Sequence, residues 1–333
     1  MSKVPIHGAI LWNGRSGVEL GRASVNTGVR SLDHIGIAVP DLAAAASAYE
    51  RLGFQLTPLQ QQAGPLEPDG PVVAWGSANR CAMLEEGYLE IIGIVDPALY
   101  DNQLGQFLAR YHGIHIMALG VENAEAQLKR LREAGLAVKG VRPMQRKVAT
   151  PSGESDVRFK RVPLADAKEG RIQLIEHLTP ELMWQPHLLA HPNRVVALTE
   201  TVLCVADVAA AEDRFRRLTG IVPLRHGTAR IFAFASGRLV LCDPASLGDF
   251  MTEATPPTLP WFAGFSVATD DGNEAVRQML RRNFVPHAEH GAVVVVPAEA
   301  ACGAACRFLP HPPSRRRAGN ASIAPRAKEN SDG

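Results

Sequence analysis

Apolar and polar positions along the chain follow two periods, and the switch between them recurs four times. In SLDHIGIAVPDLAAAASAYERLGFQLTP, Ile35, Ile37 and Val39 alternate with His34, Gly36 and Ala38 in the period of two that a strand requires. The period then turns helical: Asp41 is the N-cap candidate, Leu42, Ala45, Tyr49 and Leu52 share one face, and Gly53 is a left-handed stop before Phe54 and Leu56. The same grammar returns in GIHIMALGVENAEAQLKRLREAGLAVKG, with Asn123 as cap and Gly135 as stop. It returns in ETVLCVADVAAAEDRFRRLTGIVPL, from Asp207 to Gly220, and in GFSVATDDGNEAVRQMLRRNFVP, from Asp271 to Asn283. The cap-to-stop distances are 12, 12, 13 and 12 residues, matched punctuation that marks an internal repeat.

Each predicted helix is followed by β-rich runs bounded by Gly, Asp and Pro, among them VVAWGS, CAMLEE and GYLEIIGI in the first copy and VRFKRVPL and GRIQLIEHL in the second. The repeating unit is therefore βαβββ. One such sheet with one helix cannot bury both its faces, so neighbouring units should pair. The joint EHLTPELMWQPHLLAHPNR carries three prolines and separates the second unit from the third. The expected organisation is an extension over residues 1–30, a first two-unit domain over 31–180, a linker over 181–194, a second two-unit domain over 195–310, and a disordered tail over 311–333.

Composition narrows the function classes. The 35 Lys+Arg residues balance 34 Asp+Glu, giving a net charge of +1 and no global field to recruit nucleic acid or an acidic membrane surface. No apolar run approaches the ~18 residues of a membrane span. Five scattered cysteines suit neither a zinc ribbon nor a disulfide framework, so a soluble, cytoplasmic protein is expected. The expected partner is a small-molecule substrate, with a homodimer left open.

LDHIGIAVPDL at the start of the first unit and GYLEIIG at its end resemble the vicinal oxygen chelate superfamily, and within it the glyoxalase-like domain proteins. The resemblance runs over residues 31–310. It implies an α+β fold in which four βαβββ modules pair into two open, cup-shaped, barrel-like mixed sheets with helices outside. It also implies a divalent metal (Zn, Fe, Mn, Ni or Co), bound by one ligand from the first strand and one from the last strand of each module.

Carried onto this sequence, those positions are His34 and Glu90 in the first module and His115 and Gln173 in the second. His115 lies eight residues before its helix cap and His34 seven before its own, so the second strand carries a bulge, or His112 or Ile116 holds the true position. The resemblance implies that a metal-associated carboxylate moves the proton; Gln173 cannot accept one, so Glu90 is the catalytic base unless Glu176, of opposite strand parity, is recruited. His177 shares the parity of Gln173 about 13 Å along the strand and is expected to contact substrate, as is Trp184 in the joint. Glu90 could instead pair with Arg158 or Arg161 across the cup. In the second half the matching positions are Glu200, Val240, Gly264 and Arg307, a degenerate set.

The resulting expectation is a metal-dependent isomerase or lyase that chelates a small oxygenated substrate through two oxygens. The alternatives are a metal-free small-molecule binding protein and an extradiol-type dioxygenase.

Overall fold

A computed structural model describes residues 28–67, 70–251 and 255–311. Most of the expected N-terminal extension (1–30) and all but His311 of the expected tail lie outside the described residues. The first module consists of β1 (Ser31–Val39), α1 (Leu42–Arg51), β2 (Gln60–Pro65), β3 (Val72–Met83) and β4 (Tyr88–Ile94). A short helix, α2 (Leu104–Leu108), leads to the second: β5 (Gly113–Gly120), α3 (Ala124–Glu133), β6 (Arg142–Thr150), β7 (Gly153–Pro163) and β8 (Arg171–His177). One helical turn, α4 (Pro180–Met183), opens the joint. The third module is β9 (Val195–Cys204), α5 (Val208–Thr219), β10 (Leu224–His226), β11 (Ala229–Ala233) and β12 (Arg238–Cys242). The fourth is β13 (Trp261–Thr269), α6 (Glu274–Arg282), β14 (Ala288–His290), β15 (Val293–Val296) and β16 (Ala305–Pro310).

Within each module the first strand pairs in parallel with the last, and the remaining strands follow antiparallel. The modules pair through their first strands, β1 with β5 and β9 with β13, which makes two open cups. The cups meet where Phe262 of β13 registers with Ile114 of β5. The fold is thus α+β with paired βαβββ modules.

The helix punctuation follows the sequence in three modules. Asp41, Asn123 and Asp207 accept from the backbone N–H three residues on, at 2.9, 2.8 and 3.0 Å. The stops Gly53, Gly135 and Gly220 have φ of +89°, +72° and +73°, a conformation that glycine adopts without a Cβ penalty. The fourth helix departs from its prediction at both ends. Asn273 is the residue preceding the helix, with φ +72°, and Asp271 caps from two residues earlier, accepting from Ala275 N at 2.8 Å. Asn283 keeps a negative φ, and the left-handed step falls on Phe284 (φ +53°). Asn283 is engaged elsewhere: its Nδ2 donates to Arg51 O at 2.7 Å, and Arg51 Nη2 donates back to Asn283 O at 2.9 Å.

Other contacts bind the first module to the fourth and to the joint. Tyr49 Oη donates to Ala301 O at 3.3 Å, and the rings of Phe54 and Phe308 stack at 6.1 Å. Asn193 Nδ2 donates to Leu52 O at 3.0 Å.

The two cups have different interiors. The C-terminal one is filled by Val202, Val240, Met251, Trp261 and Ala305, among others. Its inward carboxylate Glu200 accepts from Arg238 Nε (2.6 Å), Ser266 Oγ (3.1 Å) and Arg307 Nη1 (3.4 Å). A carboxylate so completely engaged is a structural ion group. The N-terminal cup retains a cavity of about 330 Å³.

The ring of Phe262 is fully buried at the seam. Phe262→Ala is expected to lower the unfolding free energy by about 3–5 kcal/mol, the cost of emptying a buried aromatic site, as read by urea denaturation.

Candidate functional site in the N-terminal cup

Strand parity decides which side chains reach the cavity. In β1, His34 and Gly36 face inward while Ile35 and Ile37 enter the core beneath the helices. His34 registers with Tyr88, and Gly36 with Glu90, so the imidazole and the carboxylate sit on adjacent strands two residues apart. Across the central ladder, Gly36 faces Ile116 and His34 faces Ala118, and Ala118 in turn registers with Gln173 of β8. The inward positions related by the pairing of the two modules are therefore His34, Glu90, Ile116 and Gln173.

His115 is not among them. A register shift between Gly36 and Ile37 leaves it as the extra residue between Ile114 and Ile116. It lies outside the cavity lining, between Phe107 (ring centroids 5.0 Å) and Tyr111 (3.9 Å), with Nε2 on Tyr111 O at 2.8 Å. Burial lowers its pKa from 6.5 to about 4, so it is neutral near pH 7. Of the alternatives raised by its spacing, the bulge is present and Ile116 holds the inward position. The three expected ligands His34, Glu90 and His115 do not converge. Among the described residues no group of three or more His, Cys, Asp or Glu side chains could hold a metal ion.

His34 and Glu90 are each fixed through one atom and open at the other. His34 stacks on Tyr88 at 4.3 Å, and its Nδ1 donates to Asp33 Oδ1 at 2.7 Å, which directs Nε2 away from Asp33. Asp33 also receives His177 Nε2 at 3.2 and 3.1 Å. Burial acts to raise the Asp33 pKa, but the charge of His177 and the hydrogen bonds from His177 and His34 outweigh it and hold the carboxylate well below its ordinary 3.8. Glu90 Oε1 accepts from Asn79 Nδ2 at 2.5 Å and Gln62 Nε2 at 3.4 Å. Gln62 Oε1 accepts in turn from Ser77 Oγ and Asn102 Nδ2, both at 2.7 Å, and Asn102 receives Arg171 Nη2 on its backbone O (2.7 Å) and Oδ1 (3.0 Å). A chain of neutral amides thus connects the carboxylate to the half-buried guanidinium of Arg171.

The remaining wall is basic and aromatic. Arg146, Arg161 and Arg171 line the cavity together with Trp75, Tyr88 and Phe159. Burial and the neighbouring Arg171 bring Arg161 down to about 10, which leaves it charged at neutral pH, while Glu90 acts in the opposite direction. Arg161 does not form the ion pair with Glu90 that the sequence left open: its Nη2 contacts Met144 Sδ at 3.4 Å. Gln173 and His177 line the cavity, with Gln173 Oε1 and His177 Nδ1 buried and unpartnered. Trp184 stands behind the wall, edge-on to His177 (4.9 Å) and Tyr88 (6.0 Å), and so positions the lining without belonging to it.

Sequence reasoning missed Asp33, Gln62, Asn79, Arg146 and Arg171; of the arginine wall it named Arg161 alone, as a partner for Glu90. Asp33 carries a signal in retrospect, because a carboxylate inside the apolar strand LDHIGIAV requires a partner. Arg161 shares the alternation of Phe159 in VRFKRV. Gln62 comes from the polar run QQQAGP, whose pattern reads as solvent-facing.

A family model described as a glyoxalase-like domain matches residues 32–219, which takes in the first two modules with β9 and α5. No curated protein matches the chain at a significant level. Among solved structures, a hypothetical protein from Staphylococcus aureus is similar at a TM-score of 0.60 and 10% identity, over 85% of this chain and 100% of that one. A triple mutant of 4-hydroxymandelate synthase from Streptomyces coelicolor follows at 0.55 and 11%, over 85% and 93% of the two chains. A xylose isomerase-like TIM barrel/4-hydroxyphenylpyruvate dioxygenase fusion protein matches at 0.51 and 13%, over 89% of this chain and 51% of that one. At such identities the likeness is one of fold.

The Asp33 geometry sets a pH dependence. A carboxylate whose folded pKa is depressed stabilises the fold above its unfolded pKa, and that contribution disappears as pH falls from about 4 through the folded value. The melting temperature of the wild type should exceed that of Asp33→Asn at pH 7, and the gap should close below about pH 4. A gap constant from pH 7 to pH 3 would exclude this role.

Proposed function

Since the chain belongs to the glyoxalase-like domain family of the vicinal oxygen chelate superfamily, we propose that its N-terminal cup binds a small oxygenated molecule and moves a proton on it, an isomerase or lyase reaction of the glyoxalase kind. The observation that carries this reading is the pair His34 and Glu90 on one cavity wall, each anchored by one atom and open at another. Glu90 is the proton acceptor. Two neutral amides hold its Oε1 without protonating it, leaving Oε2 for a carbon-bound or hydroxyl proton. His34, oriented by Asp33, serves as the second proton carrier through Nε2. Arg161 and Arg171 stand across the cavity within electrostatic reach of Glu90, where they would stabilise negative charge developing on a substrate oxygen.

The residues present do not fit the divalent metal that the family resemblance implies. Ile116 offers no donor, Gln173 offers a neutral oxygen, and three guanidinium groups share the cavity with the single acid Glu90. A cation placed there would meet like charge. His177 lines the cavity as well, but its Nε2 is held by Asp33, and His34, His177 and Glu90 are not grouped as a metal-holding set among the described residues, so the two-imidazole, one-carboxylate triad of a non-haem iron dioxygenase is not assembled. The proton transfer proposed here therefore runs on side chains alone.

A second reading, a metal-free carrier of the same molecule, is favoured by the unpartnered polar atoms in the cavity wall, which call for a bound ligand whatever its fate. Proton exchange separates the two. Chelator-dialysed protein incubated in D2O with dihydroxyacetone or hydroxypyruvate should exchange the proton beside the carbonyl, followed by NMR. Glu90→Gln should slow exchange by about 10²–10⁴-fold. Binding of these probes without exchange in the wild type would leave the carrier; exchange that requires added metal would overturn the metal-free mechanism.

A further inference from the structure

The basic side of the cavity carries a charge that the protein does not neutralise. The guanidinium contacts go to neutral atoms: Arg146 to Gln60 Oε1 and Met183 Sδ, Arg161 to Met144 Sδ, and Arg171 to Asn102. The Nε–H groups of Arg146 and Arg161 are buried with no partner. Of the two acids near the site, Asp33 is matched by His34 and His177, which leaves Glu90 alone against three arginines. A half-buried guanidinium whose Nε–H is buried without a partner is costly, so this arrangement suits a ligand that brings the missing negative charge.

We propose that Arg161 and Arg146 form an oxyanion subsite that takes a carboxylate or phosphate group of the ligand. Guanidinium presents a planar fork of donors that matches either group in bidentate fashion, and the unfilled Nε positions complete such forks. The body of the ligand is partly apolar, because Trp75, Phe159, Met144 and Ile116 line the same cavity. An adjoining groove between the β2–β3 and β6–β7 hairpins, lined by Pro65, Val72, Pro143 and Leu178, shares Ala63 and Met144 with the cavity and gives the apolar part an exit toward solvent. The inference rests on the N-terminal cup being the ligand site, and it names the chemical class of that ligand.

Isothermal titration with phenylacetate, the uncharged phenylacetamide and phenyl phosphate tests it on the full-length chain. The wild type should bind one or both anions and discriminate against the amide, and the preference between the anions identifies the group. Arg161→Gln should weaken anion binding by about ten- to hundred-fold, the loss of a charged hydrogen-bonded pair, and leave amide binding unchanged. Arg161→Lys should recover part of the affinity. Circular dichroism establishes that each variant is folded, and Arg146→Gln supplies an independent measurement if Arg161→Gln is not. Amide binding as tight as the anions, absence of any anion binding, or anion affinity unchanged in both glutamine variants would overturn the subsite. Glu90→Gln separates this from the catalytic reading: it removes proton exchange yet should tighten anion binding by removing a like charge. Wild type that binds anions without exchange would retain the subsite and lose the catalysis.

Discussion

The ladder between β1 and β5 is the constraint on which the rest depends. Side chains alternate across a strand, so one inserted residue reverses which of them face the cavity beyond it. The shift opposite Gly36 and Ile37 does this in β5. It seats Ile116 against Gly36, where a Cβ on residue 36 would lie 2.7 Å from that of Ile116, and it turns His115 toward Phe107 and Tyr111. One backbone irregularity thus removes the second first-strand imidazole from the cup, leaving His34 from β1 and, nearer its rim, His177 from β8.

The electrostatics of the cavity form two nearly independent circuits. In one, Asp33 joins His34 and His177 and is satisfied within the protein. In the other, Glu90 is tied through Gln62 and Asn102 to Arg171, while Arg146 and Arg161 retain unfilled donors. The first fixes the orientation of an imidazole; the second leaves a net positive wall. The filled C-terminal cup contrasts with both, since Arg238 and Arg307 close on Glu200 and leave nothing for a ligand.

The repeat, its helices and its pairing were legible because they rest on local punctuation: Asp41 and Gly53, Asn123 and Gly135, Asp207 and Gly220 each satisfy backbone groups within a turn. The fourth copy departs from the pattern at its C-terminal end, where Asn283 answers to a distant partner, Arg51, that no local pattern reveals. His34, Glu90 and Gln173 come from carrying the ligand positions that the resemblance implies onto the first and last strands, and counting His34 and His115 back from their helix caps exposes the anomaly at His115. The choice among bulge, His112 and Ile116 depends on cross-strand register, which a single sequence does not encode. Arg146 is harder still to find, because it belongs to a polar strand with no apolar alternation to mark its inward face, whereas Arg161 is legible as a group across the cup from Glu90.

The reciprocal hydrogen bonds between Arg51 and Asn283 join the first module to the last. With Tyr49 on Ala301 and Asn193 on Leu52, they close the described chain into a ring of mutual supports. The cup with the cavity is therefore tied by hydrogen bonds to the half whose interior is filled. Slow amide exchange would then be governed by a single cooperative opening of the whole molecule, with neither half breathing alone.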